Sequence, residues 1–153
     1  MRKVMALIAV LLLLAGALAE PAEDRVLIDQ NGLTLTVKPG YKITPVNGDE
    51  LSLSFQGVID NQTDVPIELW LDNPTINSFQ VNADVRLVVD DMQVQPGNKA
   101  KCEIWFMLSD ADVSSYEEIE SLETGFKVFD AANYDWLLET DRYILKGDTD
   151  VRQ

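Results

Sequence analysis

The chain has 153 residues and a formal net charge of −14, with a single cysteine and no histidine. Its length suits one domain with a hydrophobic core of its own. Its negative charge argues against nucleic acid and anionic membrane surfaces as binding partners, because both attract clustered Lys and Arg. Without histidine there is no Ser-His-Asp or Cys-His nucleophile and no His-containing metal triad, and one cysteine cannot form an intramolecular disulfide.

The first nineteen residues have the order of charge, apolar core and small residues that defines a secretory signal. The pair Arg2-Lys3 precedes an almost unbroken apolar run over residues 4–14, and a small-x-small pattern ends at Ala19. The run is shorter than the roughly 20 apolar residues of a membrane span. We therefore predict cleavage between Ala19 and Glu20, a secreted or cell-surface location, and no stable membrane insertion after cleavage.

After the leader, short runs of alternating apolar and polar residues are separated by turn sequences. The runs at 25–29 and 33–38 flank Asn31-Gly32, which predicts a β-hairpin. Further strands are predicted, in chain order, at residues 51–56, 65–71, 76–81, 85–89, 92–94, 101–108, 126–130 and 136–145. Gly57 interrupts the alternation and is predicted as a β-bulge. About eight to ten short strands without long helical crossovers predict an all-β, immunoglobulin-like antiparallel sandwich.

One segment departs from the strand period. Ser109 is a typical helix N-cap residue, and Asp110 and Asp112 follow where a helix N-terminus favours negative charge. The sequence therefore predicts a short helical insertion between Asp110 and Leu122. The polar residues 146–153 are predicted to form a flexible tail.

The order of these motifs resembles the immunoglobulin-like domains of secreted proteins and lipoproteins from Gram-positive gut bacteria. The matching features, in chain order, are a strand running into Asn61, Asn77-Ser78-Phe79, residues 94–100, the acidic stretch 113–119 and the strand at 125–130. The resemblance implies the fold and an extracellular setting, and it carries no catalytic residues. Many such proteins have a lipid-attachment cysteine at the end of the signal, whereas this chain has Ala19-Glu20 there.

Two tryptophans fall outside the apolar set of their strands. Trp70 alternates with the apolar residues of the run at 65–71, and Trp105 alternates with an apolar set that includes Cys102. Because alternate side chains of a strand point to opposite faces, both rings should point outward, and Cys102 should be a small buried hydrophobe. An exposed aromatic pair can hold sugar rings or anchor a protein partner. Alternatively, the helical insertion or the first hairpin covers both rings. The sequence does not indicate which face of its strand Trp136 occupies.

Acidic residues gather at the ends of several predicted strands: Asp60, Asp64, Asp72, Asp110 and Asp112. Oxygen ligands in such loops can bind Ca²⁺, but the EF-hand spacing is missing, and we favour a solvated surface without a metal or cofactor. Asn61-Gln62-Thr63 matches a glycosylation sequon and is interpreted as a turn. No carboxylate pair for glycoside hydrolysis stands out among the acidic residues.

The sequence thus predicts a single domain over residues 20–145 that acts as a secreted, non-enzymatic binding or interaction module. It would work at or outside the bacterial cell surface on an extracellular protein or glycan. Two alternatives remain open. One is a carbohydrate-binding domain that uses Trp70 and Trp105, and the other is a structural or accessory subunit that pairs through a sheet edge.

Overall fold

A computed structural model describes residues 23–89 and 92–147. The predicted leader, with its cleavage point between Ala19 and Glu20, and the tail beyond residue 147 lie outside this part. The strands within it are β1 (Arg25–Gln30), β2 (Leu33–Val37), β3 (Lys42–Pro45), β4 (Leu51–Asn61), β5 (Ile67–Ile76), β6 (Phe79–Gln80), β7 (Ala83–Leu87), β8 (Lys99–Met107), β9 (Leu122–Asp130), β10 (Trp136–Glu139) and β11 (Tyr143–Lys146).

The strands form two antiparallel sheets. The first has the order β1-β2-β4-β8-β7, with β3 also paired to β4, and the second has the order β10-β9-β5-β6, with β11 also paired to β9. Strands β2, β4, β8 and β7 take the places of strands A, B, E and D of an immunoglobulin domain, and β5, β9 and β10 those of C, F and G. The predicted immunoglobulin-like β-sandwich is therefore confirmed. Among the described residues, no helix is long and apolar enough to cross a membrane.

Alternating side chains fill the space between the sheets. The largest fully buried ones include Ile28, Leu35, Leu53, Ile59, Ile104 and Phe106 from the first sheet and Ile67, Ile76, Leu122 and Phe126 from the second. Cys102 is completely buried among them, as predicted, and burial raises the pKa of its thiol from 9.0 to about 12. The first hairpin turns at Asn31-Gly32, where both residues have positive φ as a two-residue turn between strands requires.

The predicted bulge at Gly57 is absent. β4 pairs with β8 in unbroken register from Ser52 to Asp60, and Gly57 points into the sandwich. A Cβ atom at this position would lie 3.0 Å from the Sγ atom of Cys102 and 3.1 Å from the carbonyl oxygen of Thr36. Glycine therefore stands here because β2, β4 and β8 approach one another closely, which is a packing reason rather than an irregularity of the strand.

The predicted helical insertion is reduced to one 3-10 turn over Leu108–Ala111, and residues 112–121 contain turns and bends. One hydrogen bond and one backbone conformation explain why no α-helix follows. The Ser109 hydroxyl oxygen accepts a hydrogen bond from the Leu51 backbone N–H at 2.9 Å instead of capping a helix. Asp112 then adopts a left-handed conformation with φ 55°, which ends the turn after four residues.

A stack of side chains holds the irregular segment that replaces the helix. The rings of Tyr41 and Tyr116 stack with centroids 3.9 Å apart, and the Lys146 ammonium lies 3.9 Å from the Tyr116 ring centroid. Burial is the main cause that raises the pKa of Tyr116, with a smaller contribution from Tyr41. These contacts join the region before β3, the loop and β11, so the segment is tied to the sandwich by tertiary packing.

Candidate functional site

The structure separates the two predicted site residues. Trp70 lies on β5 with 48% of its surface exposed, whereas Trp105 lies on β8 and is partly covered by the Arg86 guanidinium, 4.3 Å from its ring centroid. Both rings point away from the core, as the alternation predicts. However, β5 and β8 belong to different sheets, so the expectation of one aromatic pair on one face is wrong. Alternation shows which face of a strand a side chain occupies, but it does not show which of the two sheets the strand belongs to.

Trp70 has two other aromatic neighbours on the outer face of the second sheet. We call Trp70, Phe129 and Trp136 the aromatic row, because they lie on the neighbouring strands β5, β9 and β10. The Phe129 ring centroid is 4.9 Å from that of Trp70 and 6.0 Å from that of Trp136. Phe129 is only 7% exposed, whereas Trp136 is 60% exposed. Two accessible indoles therefore flank a covered phenylalanine.

Charged side chains position both ends of the aromatic row. The Trp70 indole N–H donates a hydrogen bond to Glu68 at 3.2 Å. The Lys127 ammonium forms an ion pair with Asp72 at 2.8 Å and lies 5.2 Å from the Trp136 ring centroid. The hydrogen bond with Asp72 is the main cause that raises the pKa of Lys127, so the ammonium stays charged near neutral pH. These contacts hold the row in place before any ligand arrives.

Sequence reasoning missed two members of the aromatic row. Phe126 and Val128 are buried in the core, so alternation along β9 places Lys127 and Phe129 on the outer face. This pattern is visible in the sequence and could have revealed Phe129. The position of Trp136 could not have been found in this way, because the register between β10 and β9 shifts directly after it.

The aromatic row ends at a groove between β5 and β7, one strand from each sheet. The groove has a volume of about 450 Å³. Glu68 and Trp70 line it on the side of β5, Asp84 and Arg86 line it on the side of β7, and the exposed Met92 borders it. It combines apolar surface with charged groups of both signs.

Three of the five acidic residues at strand ends have side-chain partners, and these partners are separate. Asp60 forms an ion pair with Lys99 at 3.0 Å, Asp72 is paired with Lys127 as described above, and Asp110 accepts hydrogen bonds from Asn82. A hydrogen bond from Gln62, followed by one from Lys99, lowers the pKa of Asp60. Within residues 23–89 and 92–147, no group of three Asp, Glu or Cys side chains is arranged to hold a metal ion.

No protein-family model matches the chain, and no curated protein does. Among solved structures, the GAE domain of GGA2p from Saccharomyces cerevisiae is 12% identical, with a TM-score of 0.44 over 82% of this chain and all of that one. The yeast GGA1_GAE domain-P21 structure is 13% identical, with a TM-score of 0.36 over 80% of this chain and 94% of that one. A FixG-related protein from Vibrio parahaemolyticus is 15% identical, with a TM-score of 0.38 over 75% of this chain and 97% of that one. Likenesses this distant carry no functional argument, and the site has to be interpreted from its own chemistry.

Proposed function

We propose that the protein is a secreted, non-enzymatic binding module that acts outside the cytoplasmic membrane and contacts its ligand through the aromatic row. The observation that carries the proposal is the pair of accessible indoles, Trp70 and Trp136, held on either side of Phe129 on one sheet face. Tryptophan is enriched among the residues that dominate binding energy at interfaces. The leader-like sequence at residues 1–19 supports the extracellular setting.

The contacts around the row reduce the cost of binding. Glu68 and Lys127 each contact one of the two exposed indoles. Fewer side-chain rotamers are then lost when a ligand binds, and each immobilised flexible side chain otherwise costs about 0.5–1.5 kcal/mol. A prearranged aromatic surface of this kind suits recognition better than catalysis.

A neutral glycan is the first ligand class to test. Flat aromatic rings offer apolar surface to the C–H faces of sugars, and the neighbouring carboxylates of Glu68, Asp72 and Glu139 can accept hydrogen bonds from hydroxyl groups. The net charge of −14 disfavours anionic polymers. An extracellular protein with an apolar patch remains the second candidate, because exposed tryptophans serve protein interfaces equally well.

Affinity gel electrophoresis in neutral soluble polysaccharides, including xylan, mannan and mixed-linkage glucan, tests the proposal. At least one polysaccharide should retard the chain. Trp70→Ala and Trp136→Ala should each weaken binding by about 30-fold, which corresponds to the roughly 2 kcal/mol of an interface hot spot. Trp105→Ala is the matched control on the other sheet and should bind like the wild type.

The outcomes separate the two ligand classes. If no polysaccharide retards the chain although acrylamide quenches Trp70 and Trp136, the glycan assignment fails and a protein ligand takes its place. If binding occurs and survives both substitutions, the aromatic row is not the contact surface and the proposal fails.

A further inference from the structure

We propose that the unpaired edge of β5 is a docking site for an extended segment of a partner polypeptide that carries lysine or arginine. The segment would add to the second sheet as a further antiparallel or parallel strand. This inference concerns a second surface, the groove between β5 and β7, which meets the aromatic row only at Trp70.

The edge of β5 is open between two points of pairing. At one end Ile67 exchanges both backbone hydrogen bonds with Val94, each at 3.0 Å, and at the other end Thr75 pairs with Gln80. Between these points, residues 68–73 have no strand partner on that side within the described part of the chain, and Pro74 already accepts a hydrogen bond from the Val81 N–H at 3.2 Å. At about 3.3 Å per residue, the open edge is roughly 20 Å long, enough for a short strand.

The open edge presents backbone groups to the groove. The backbone N–H and C=O of Ile67 point away from β9, because they bond to Val94. Alternate residues of a strand direct these groups to the same side, so those of Leu69 and Leu71 also point outward. Among the described residues, no contact satisfies them. An unpaired strand edge is a template for strand addition, in which backbone hydrogen bonds supply affinity and side-chain pockets supply specificity.

On the opposite wall of the groove, one backbone donor of the β7 edge already has a partner. The Val85 backbone N–H on β7 already donates to the Asp84 carboxylate at 2.8 Å. A carboxylate that caps an edge N–H blocks pairing there, which is one way in which proteins protect sheet edges. The backbone groups of Leu69 and Leu71 have no such partner among the described residues, so we place the added strand on β5.

The charged residues that line the groove favour a positively charged partner segment. Glu68 lines the groove and is only 7% exposed, and its carboxylate accepts the Trp70 indole N–H while keeping capacity for further donors. Arg86, the positive group on the facing wall, lies against Asp84 at 4.0 Å and over Trp105. Glu68 has no ion-pair partner among the described residues, so a lysine or arginine on the added strand would supply one. A second copy of this chain is a poor guest because it brings another net charge of −14.

The test uses residues 20–153 and an acetylated, fluorescein-labelled octapeptide of alternating valine and lysine. We expect binding by fluorescence anisotropy, at least tenfold weaker binding of the valine–glutamate peptide, and loss of binding when alternate backbone amides are N-methylated. Amide hydrogen exchange supplies the structural readout, because strand addition must slow the N–H groups of Leu69 and Leu71. Glu68→Gln, which keeps an acceptor for Trp70, should weaken binding of the valine–lysine peptide about tenfold.

The controls decide between this inference and its competitors. Glu139→Gln removes an acidic group from β10 and should leave peptide binding unchanged. Trp136→Ala should also leave it unchanged, so the glycan proposal and the strand proposal can fail separately. The inference is overturned if the valine–lysine peptide does not bind, if it binds without slowing exchange at Leu69 and Leu71, or if its glutamate counterpart binds equally well. A concentration-dependent dimer that protects the same amides without peptide would overturn it in favour of self-pairing.

Discussion

At the scale of single residues, Asn61 joins three backbone segments through one buried amide. Its Nδ2 atom donates hydrogen bonds to the carbonyl oxygens of Val65 at 2.9 Å and Val94 at 2.8 Å, and its Oδ1 atom accepts from the Thr63 N–H at 3.0 Å. Asn61 is completely buried. The bond from the Thr63 N–H to the Asn61 side chain closes an Asx turn, which confirms the interpretation of Asn61-Gln62-Thr63 as a turn.

Replacing Asn61 by alanine should cost about 3 kcal/mol of unfolding free energy. The substitution removes two hydrogen bonds to the Val65 and Val94 carbonyl oxygens, each worth about 0.5–1.5 kcal/mol, and it leaves the Thr63 N–H without its acceptor, which costs about 1–3 kcal/mol. Urea unfolding followed by tryptophan fluorescence measures the change. Asn98→Ala is the matched control, because Asn98 is exposed, and it should stay within about 0.5 kcal/mol of wild type. Equal stability of both variants would contradict this account of the turn.

Because the Cys102 thiol is buried, we expect the free energy of unfolding to fall at alkaline pH. The folded state keeps the thiol protonated up to about pH 12, whereas the unfolded chain releases the proton near pH 9.0. Stability supplied by the protonated thiol is therefore complete below pH 9 and declines as pH rises from 9 towards 12. One pH unit in this window costs about 1.4 kcal/mol. Wild type should accordingly lose about 1–1.5 kcal/mol more than Cys102→Ala between pH 9 and pH 10.

The comparison with Cys102→Ala isolates the thiol, because the raised pKa values of Tyr116 and Tyr143 act in the same direction in both proteins. Urea unfolding at the two pH values provides the measurement. A thiol-labelling reagent gives an independent check, since it should modify Cys102 only in urea. Parallel loss of stability in both proteins would show that Cys102 does not carry the alkaline effect.

At the scale of the strands, Gly57 sets how closely β2, β4 and β8 pack. Gly57→Ala should destabilise the fold by about 1–3 kcal/mol, since the added methyl group meets Cys102 Sγ at 3.0 Å and Thr36 at 3.1 Å. Adding Cys102→Ala should recover part of this loss, because it removes one of the two obstacles. A coupling energy of about 1 kcal/mol in the double-mutant cycle is the expected result. Strict additivity would mean that the backbone of Thr36 alone opposes the methyl group.

The strands could be predicted because alternation reports burial directly. The two runs of the first hairpin show this, and the turn between them follows from the local preference of Asn31-Gly32 for positive φ. The prediction of a helical insertion was wrong because Ser109 bonds to Leu51, a residue far away in sequence that no local pattern can include. The predicted strand at 136–145 is two strands, β10 and β11. The ladder between β10 and β9 is interrupted at Thr140, because the Phe126 N–H donates to the Thr140 hydroxyl instead of to a backbone carbonyl.

At the scale of the whole molecule, the candidate site depends on the order of the strands in space, which the alternation of apolar and polar residues does not reveal. Trp70 and Trp105 were correctly placed on outer faces, but the assignment of β5 and β8 to different sheets comes from the order of strands in space. That order also brings Trp136 beside Phe129 and leaves the edge of β5 open. Binding surfaces made of side chains from neighbouring strands are therefore harder to predict than the strands themselves.

The net charge of −14 gives the molecule as a whole a predictable response to salt. Repulsion among the acidic side chains opposes the compact state, and added salt screens it, with a Debye length of about 10 Å at 0.1 M and about 3 Å at 1 M. The surface ion pairs respond in the opposite direction, but exposed pairs such as Lys38–Asp24 contribute little. We expect stability near neutral pH to rise by about 1 kcal/mol between 0.02 M and 0.5 M NaCl, or roughly 3 °C in Tm.

The same titration near pH 4 is the control for this prediction. The isoelectric point of the sequence is about 4.1, so the net repulsion that salt screens is absent there. Thermal unfolding should then show a salt response close to zero, or slightly negative as the remaining ion pairs are screened. A stabilisation of equal size at both pH values would instead reflect a general effect of salt on apolar burial, and the charge of the molecule would not limit its stability.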